Sequence, residues 1–405
     1  MSVATTESAP LTERKYVLPL VLITSLFFLW ALGVNLNDVL IPHLKKAFRL
    51  TDLESSLIQS AFFGGYFLAA LPAGRLMERI GYKKGILTGL ALCATGALLF
   101  IPAATILVYW FFLLALFVMA CGQSFLEVAA NPYVTVLGPP ESAERRLNVA
   151  QSFNSVGAVV TPVIGAAFIL TNTQSDVAQS AEANTVKIPY MIIASIFIAV
   201  AAMIFFTKLP EVQDSSDQPQ KLREVWKHPH LVRGVLAQFF YVGAQVGVAS
   251  FIIRLSEYLA PGTADKSAAS FLKWHLLGFM IGRFSGSAMM KYIRPSRLLA
   301  AFAVGCLICV SVALVTTGIV PIYGVVLIGF FHSIMFPTIF ALSIRGLGAY
   351  TKLGSSLLVM SIIGGAVLPA VMGYVSDATN IQRALIVPLA CYLYIFSFAV
   401  RTREA

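Results

Sequence analysis

Two acidic side chains fall within stretches that are otherwise apolar. Asp38 lies in the run from Tyr16 to Pro42, and Glu127 in the run from Ile106 to Gly138. No other acid falls near the middle of an apolar run of spanning length. A charge at mid-membrane costs about 2.5–3.5 kcal/mol on insertion scales, so an intramembrane acid marks a functional site by default. Removing a carboxylate from water disfavours its charged form, so such a group can take up and release a proton. It can also accept hydrogen bonds from hydroxyls. Amides accompany the acids at helical spacing. Asn35 and Asp38 are i, i+3; Gln123, Glu127 and Asn131 are i, i+4, i+8; Gln151 and Asn154 are i, i+3. Amides both donate and accept, which suits sugar hydroxyls. Hydrogen bonds that merely hold a helical bundle together would use the same residue types.

The second half of the chain offers a different set. Gln238, Tyr241 and Gln245 form a polar-aromatic stripe; Lys273, Trp274 and His275 cluster in one run, and Phe331-His332 lie in another. Aromatic rings there suit stacking on a pyranose face, and they equally suit lipid-interface anchoring or core packing. His332 fits a proton relay or a hydrogen-bonded structural role. Arg254 and Arg283 are read as structural or snorkelling.

Positioning these groups requires a membrane. Of 405 residues, 58% are hydrophobic and 12% charged, with mean hydropathy +0.81. Soluble domains carry about 25% charged residues, so the composition predicts an all-α, multi-pass membrane protein. Twelve spans are expected at 16–43, 54–80, 83–103, 106–138, 147–171, 188–208, 231–259, 268–291, 298–318, 322–347, 354–377 and 382–401. The net charge of +10 reflects topology rather than nucleic-acid binding, because basic residues cluster in short loops. Arg14, Lys15, Arg79, Lys83, Lys84, Arg145, Arg146, Lys291 and Arg294 among others fall on one side, which predicts cytoplasmic termini; the Lys45-Lys46 pair is a local exception on the other side. The five cysteines all fall in apolar runs, so no disulfide framework is expected. The first run carries no cleavage site and is expected to be retained. The absence of Asn-x-Ser/Thr sequons favours a bacterial source, and hence the inner membrane.

The most polar stretch, Glu211 to His230, separates six spans from six. The expected organisation is an N-terminal bundle (1–208), a cytoplasmic linker (209–230) and a C-terminal bundle (231–405). An internal repeat supports it: Phe27-Phe28 aligns with Phe239-Phe240, Gly74 with Gly286, Pro132 with Pro337, and Gly157-x4-Pro162 with Gly364-x4-Pro369. Parallel repeats related by an axis along the membrane normal build the major facilitator fold, with substrate between the halves near the midplane. The run Gly74-Arg-Leu-Met-Glu78-Arg79-Ile-Gly81-Tyr-Lys83-Lys84 resembles the loop motif of the major facilitator superfamily. Gly74, Glu78, Arg79, Gly81, Lys83 and Lys84 are therefore expected to form a cytoplasmic clasp. The degenerate copy, Gly286 to Arg297, has Met290 where the acid would be, which predicts a one-sided clasp.

A narrower resemblance rests on several segments: Phe27 to Pro42, Leu126 to Pro139, Leu147 to Gly157, Ala237 to Gln245, Phe336 to Phe340 and Tyr374 to Asp377. Together they resemble the fucose:proton symporter family, whose members carry fucose, glucose, galactose or N-acetylglucosamine. The segment Lys273-Trp-His-Leu-Leu-Gly departs from the fucose-carrier pattern. The resemblance implies that Asp38 and Glu127 couple protons and bind sugar, and that Asn35, Gln151 and Asn154 line the sugar cavity.

The expected function is a proton-coupled symporter importing a monosaccharide. Its substrate residues would be Asn35, Asp38, Gln123, Glu127, Asn131, Gln151, Asn154, Tyr241 and Gln245. Glu127 is expected to sense both proton and substrate. Alternatives are a proton-coupled exporter of drugs or metabolites and a sodium-coupled sugar carrier. An enzyme is not expected: the five histidines are scattered, with no metal-ligand spacing. No phosphate-cradling glycine loop is found, so no cofactor is expected and the drive would be the proton gradient. The expected partners are a monosaccharide, protons and the lipid bilayer, the working unit a monomer, and no nucleic acid is involved.

Overall fold

The computed structural model describes residues 10–48, 52–168, 187–210, 221–260 and 265–402, with side chains described except at 34, 36–47, 52–56, 162–168 and 265–269. The Asp38 side chain, the Lys45-Lys46 pair, the Pro162 ring and positions 211–220 of the expected linker therefore lie outside the description.

Every described regular element is helical. The N-terminal set comprises α1 (Val17–Ala47), α2 (Asp52–Ile106), α3 (Tyr109–Val136), α4 (Ala143–Phe168) and α5 (Lys187–Phe206). After a four-residue helix, α6 (Leu222–Val225), come α7 (Pro229–Leu259), α8 (Asp265–Met289) and α9 (Pro295–Val315). Then follow α10 (Val320–His332), α11 (Met335–Ile344), α12 (Thr351–Met360), α13 (Gly364–Ala378) and α14 (Ile386–Thr402).

Nine described stretches are long and apolar enough to cross a membrane. One of them, Leu57–Ile106, has 50 residues, about 75 Å of helix against a hydrocarbon core of about 30 Å. It must cross twice, and the break is supplied by Gly81, whose φ of 77° is a left-handed value that other residues rarely adopt. A proline produces another break. Pro337 has no N–H and its ring crowds the carbonyl four residues earlier, so the helix interrupts at Ser333–Ile334, between α10 and α11. A 3-10 turn, Ser361–Ile363, divides α12 from α13, and Pro369 lies inside α13.

Within the first half, α2 packs on α3 and α5, and α1 on α4. Within the second, α9 packs on α10 and α14, and α7 on α13 and α14. The halves meet where α2 touches α12, α4 touches α8 and α11, and α3 touches α11 and α12. Lipid-facing apolar residues such as Leu68, Ile198, Phe206 and Ile308 are exposed, as expected of a protein whose outer surface is solvated by lipid rather than water.

Candidate functional site

Between the halves lies a cavity of about 590 Å³. Its first wall is built by Trp30 and Asn35 of α1, Gln59 and Tyr66 of α2, Glu127 of α3, and Gln151 and Asn154 of α4. The facing wall carries Gln245 of α7, His275, Phe279 and Arg283 of α8, and Phe336 of α11. Phe62, Phe63 and Ile362 add apolar surface.

Glu127 is 8% exposed. The Tyr66 hydroxyl lies 3.4 Å from Glu127 Oε1 and 3.4 Å from Gln123 Oε1, so one donor is shared between them. Glu127 Oε2 has no protein partner. An acidic group in this setting can accept from a ligand hydroxyl or carry a proton, and either would satisfy the vacant oxygen.

Arg283 faces this acid from the other half. It is buried, and its Nε donates to the Ser333 carbonyl at 2.8 Å. Its Nη1 donates across the half boundary to the Gln151 carbonyl at 2.6 Å, and lies 3.2 Å from Gln151 Oε1 and 3.4 Å from Asn154 Oδ1. The guanidinium also stacks over the Phe279 ring, 4.5 Å from its centroid, a favourable arrangement for a weakly hydrated cation. Arg283 and Glu127 line the same cavity, yet no ion pair joins them among the described residues.

The amides are ordered through this network. Gln151 Nε2 donates to Asn131 Oδ1 at 3.1 Å, and Asn154 Nδ2 donates to the Phe27 carbonyl at 3.1 Å. Asn35 Nδ2 donates to the Ala31 carbonyl at 2.7 Å. The structure therefore gathers Asn35, Glu127, Gln151, Asn154 and Gln245 at the cavity. Gln123 and Asn131 are fully buried in the same stripe, one turn to either side of Glu127. Tyr241 stands behind the opposite wall, fully buried, its hydroxyl donating to the His332 carbonyl at 3.1 Å.

Arg283 is the residue that sequence reasoning assigned to structure or snorkelling, and the structure instead brings it to the cavity. The signal for it is a stripe: His275, Phe279 and Arg283 are i, i+4, i+8 on α8, the same spacing as Gln123, Glu127 and Asn131. Tyr66, Gln59 and Phe279 also line the site without having been singled out.

Beyond the cavity floor, one end of the molecule is sealed by contacts between halves. Asn148 Nδ2 donates to Thr338 Oγ1 at 3.1 Å, and the Ser152 and Ser287 hydroxyls lie 3.3 Å apart. Arg345 pairs with the buried Glu144. Gly74 sits against Ser356, and a Cβ there would lie 3.0 Å from the Lys352 carbonyl. Lys352 Nζ lies over the Tyr82 ring at 5.1 Å. Of the loop-motif residues, Gly74 thus makes the close approach between halves and Gly81 makes the break. Lys83 Nζ donates to the carbonyls of Phe205 and Thr207, both at 2.8 Å, and so binds the end of α5 within its own half. Glu78 is half-buried, while Arg79 and Lys84 are exposed. On the same face, the Tyr350 hydroxyl donates to Glu224 Oε2 at 2.6 Å, and that bond holds the Glu224 carboxyl below its ordinary range.

A family model of the Major Facilitator Superfamily matches residues 23–369. The chain belongs to the major facilitator superfamily. Two relatives match nearly end to end. A glucose/galactose transporter of Brucella abortus is 45% identical over 389 residues, covering 95% of this chain and 94% of its own. The L-fucose-proton symporter of Escherichia coli is 43% identical over 409 residues, covering 96% and 93%. The crystal structure of the major facilitator transporter FucP in the outward conformation superposes with a TM-score of 0.90 at 42% identity, covering 96% of this chain and 99% of that one.

Proposed function

We propose that this protein is a proton-coupled sugar symporter that imports a monosaccharide across the bacterial inner membrane by alternating access. The observation that carries it is Glu127: a buried carboxyl with one oxygen free of any protein partner, beside amides and a guanidinium, in a cavity shared by both halves. Relatives named as carriers of glucose/galactose and of L-fucose with protons support the sugar class and the coupling ion.

The proposed cycle follows from this chemistry. With the basic-loop end sealed, the cavity faces the periplasm. Glu127 takes a proton and the sugar then enters. Its hydroxyls meet Glu127 Oε2 and the amides of Asn35, Gln151, Asn154 and Gln245, while Trp30 and Phe336 supply apolar faces. Neutralising the acid lowers the cost of closing a dry cavity around it. The sealed end then parts and the sugar leaves inward. Gln123 and Asn131 support Glu127, Tyr241 supports the opposite wall, and Asp38 acts as a second coupling acid in keeping with the family resemblance. Of the loop-motif residues, Gly74 meets the seal that must loosen, while Glu78, Arg79, Gly81, Lys83 and Lys84 shape and anchor the turn beside it.

The architecture we assign is twelve crossings in two six-helix halves, 1–208 and 231–405, joined by 209–230, with both termini cytoplasmic. The carrier works as a monomer and needs no cofactor beyond the proton gradient. The test is uptake into proteoliposomes carrying an internal pH dye. D-glucose, D-galactose and L-fucose are added separately at fixed pH, with and without sodium. Internal acidification driven by one of them, independent of sodium, supports the assignment. Sugar uptake that needs sodium and moves no protons contradicts it.

A further inference from the structure

Beyond the cavity floor, toward the sealed end, four fully buried uncharged side chains carry polar atoms with no protein hydrogen-bond partner, as does the second oxygen of the paired Glu144. The four are Asn131 Nδ2, Asn148 Oδ1, Ser355 Oγ and both Oε1 and Nε2 of Gln238. Unpartnered buried amides are rare, because leaving one unsatisfied forfeits its hydration without replacement. Four uncharged ones on helices that pack on one another call for an explanation.

Their positions are linked. Asn131 lies one turn beyond Glu127 on α3, and its Oδ1 already accepts from the floor residue Gln151. Asn148 uses its Nδ2 to bridge to Thr338 in the other half, leaving its Oδ1 over. Gln238 lies between Gly234, which abuts Ser343, and Tyr241, which bonds to His332, so it sits beside α11 at the level of the seal. Ser355 neighbours Ser356, the residue that meets Gly74. The helices concerned pack on one another: α12 on α3 and α7, α11 on α3, α4 and α7. None of the four side chains is charged. They come from both halves, two from each, as the cavity residues do.

We propose that Asn131, Asn148, Gln238 and Ser355 form a second sugar station, closed in this state, that receives the sugar's hydroxyls when the sealed end parts. Amides and a hydroxyl without charge suit a neutral polyhydroxylated ligand and offer nothing to hold an ion. The sugar therefore moves to this station while the proton stays with Glu127 until it too is exposed. This rests on the symport assignment above.

The experiment labels Ser355→Cys, a substitution of nearly equal size, in the full chain reconstituted in proteoliposomes. N-ethylmaleimide modification of position 355 is read by mass spectrometry, with sugar-driven internal acidification followed in parallel. The expected result is negligible labelling without sugar and at least about five-fold faster labelling during turnover. No labelling under turnover, or equal labelling with and without sugar, overturns the proposal. If no sugar acidifies the lumen, the symport assignment has failed instead. A second variant, Gln238→Leu, relieves the buried amide and should slow sugar counterflow by at least about five-fold while sugar Kd changes less than two-fold. Wild-type counterflow in that variant contradicts the station, and Gln238→Met is the substitute if Gln238→Leu does not fold.

Discussion

Arg283 Nε donates to the carbonyl of Ser333 at 2.8 Å. That carbonyl is the one Pro337, four residues on, leaves without its helical donor. The proline thus creates an acceptor inside the membrane and the arginine fills it. The remaining donors of the guanidinium turn to Gln151 and Asn154 in the other half. A break in one helix of the second half thereby sets the position of the amides offered by the first.

Replacing Arg283 by Lys should not preserve this arrangement. Lysine is a compact point charge and cannot span Ser333 and Gln151 with one planar fork. Hydrogen bonds to charged groups contribute about 1.5–3 kcal/mol each, so losing one or two predicts sugar binding weakened by at least about ten-fold in both Arg283→Lys and Arg283→Gln. Isothermal titration of the purified protein checks this. Wild-type affinity in Arg283→Lys would show that charge alone matters.

Pro337→Ala tests the same relationship from the other side. An alanine N–H can satisfy the Ser333 carbonyl within a continuous helix, in competition with Arg283. The expected outcome is sugar affinity reduced by about ten-fold, with a melting temperature equal to or above wild type, because a helix-breaking residue has been removed. A thermal melt alongside titration separates the two effects. Unchanged affinity would mean that Arg283 does not depend on the freed carbonyl.

Gly74→Val addresses the seal. A side chain there overlaps Ser356 and the Lys352 carbonyl, and overpacking typically costs about 1–3 kcal/mol. The cost falls on the sealed state, so the population should shift toward the state open at the basic-loop end. N-ethylmaleimide labelling of Ser355→Cys without sugar should then rise in the Gly74→Val background. Labelling that stays at the background level would place the seal elsewhere.

That the chain is all-helical and crosses the membrane repeatedly was legible because composition and the 20-residue scale of a bilayer leave little choice; nine stretches of spanning length lie among the described residues, one of them broken at Gly81. The stripe Gln123–Glu127–Asn131 was legible because three polar residues at four-residue spacing in an apolar run have one face to share. Arg283 was not, although its own stripe with Phe279 and His275 has the same spacing. A basic residue near a span end is ordinarily explained by snorkelling, and nothing local reveals that Pro337, 54 positions away in the chain, opens a carbonyl beside it. Tyr241 illustrates the converse. Its period with Gln238 and Gln245 is correct, but helical rotation alone does not say which member of a stripe meets the cavity and which the neighbouring helix. Gln245 meets the cavity, while Tyr241 bonds to α10.

The most direct test is Glu127→Gln in proteoliposomes loaded with a pH dye. Glutamine keeps the size and the hydrogen-bonding reach of the protonated acid but cannot titrate. Sugar counterflow, which needs no net proton movement, should continue within about ten-fold of wild type, whereas sugar-driven acidification and uphill accumulation should both vanish. Uphill accumulation that survives the substitution would contradict the assignment of the coupling proton to Glu127.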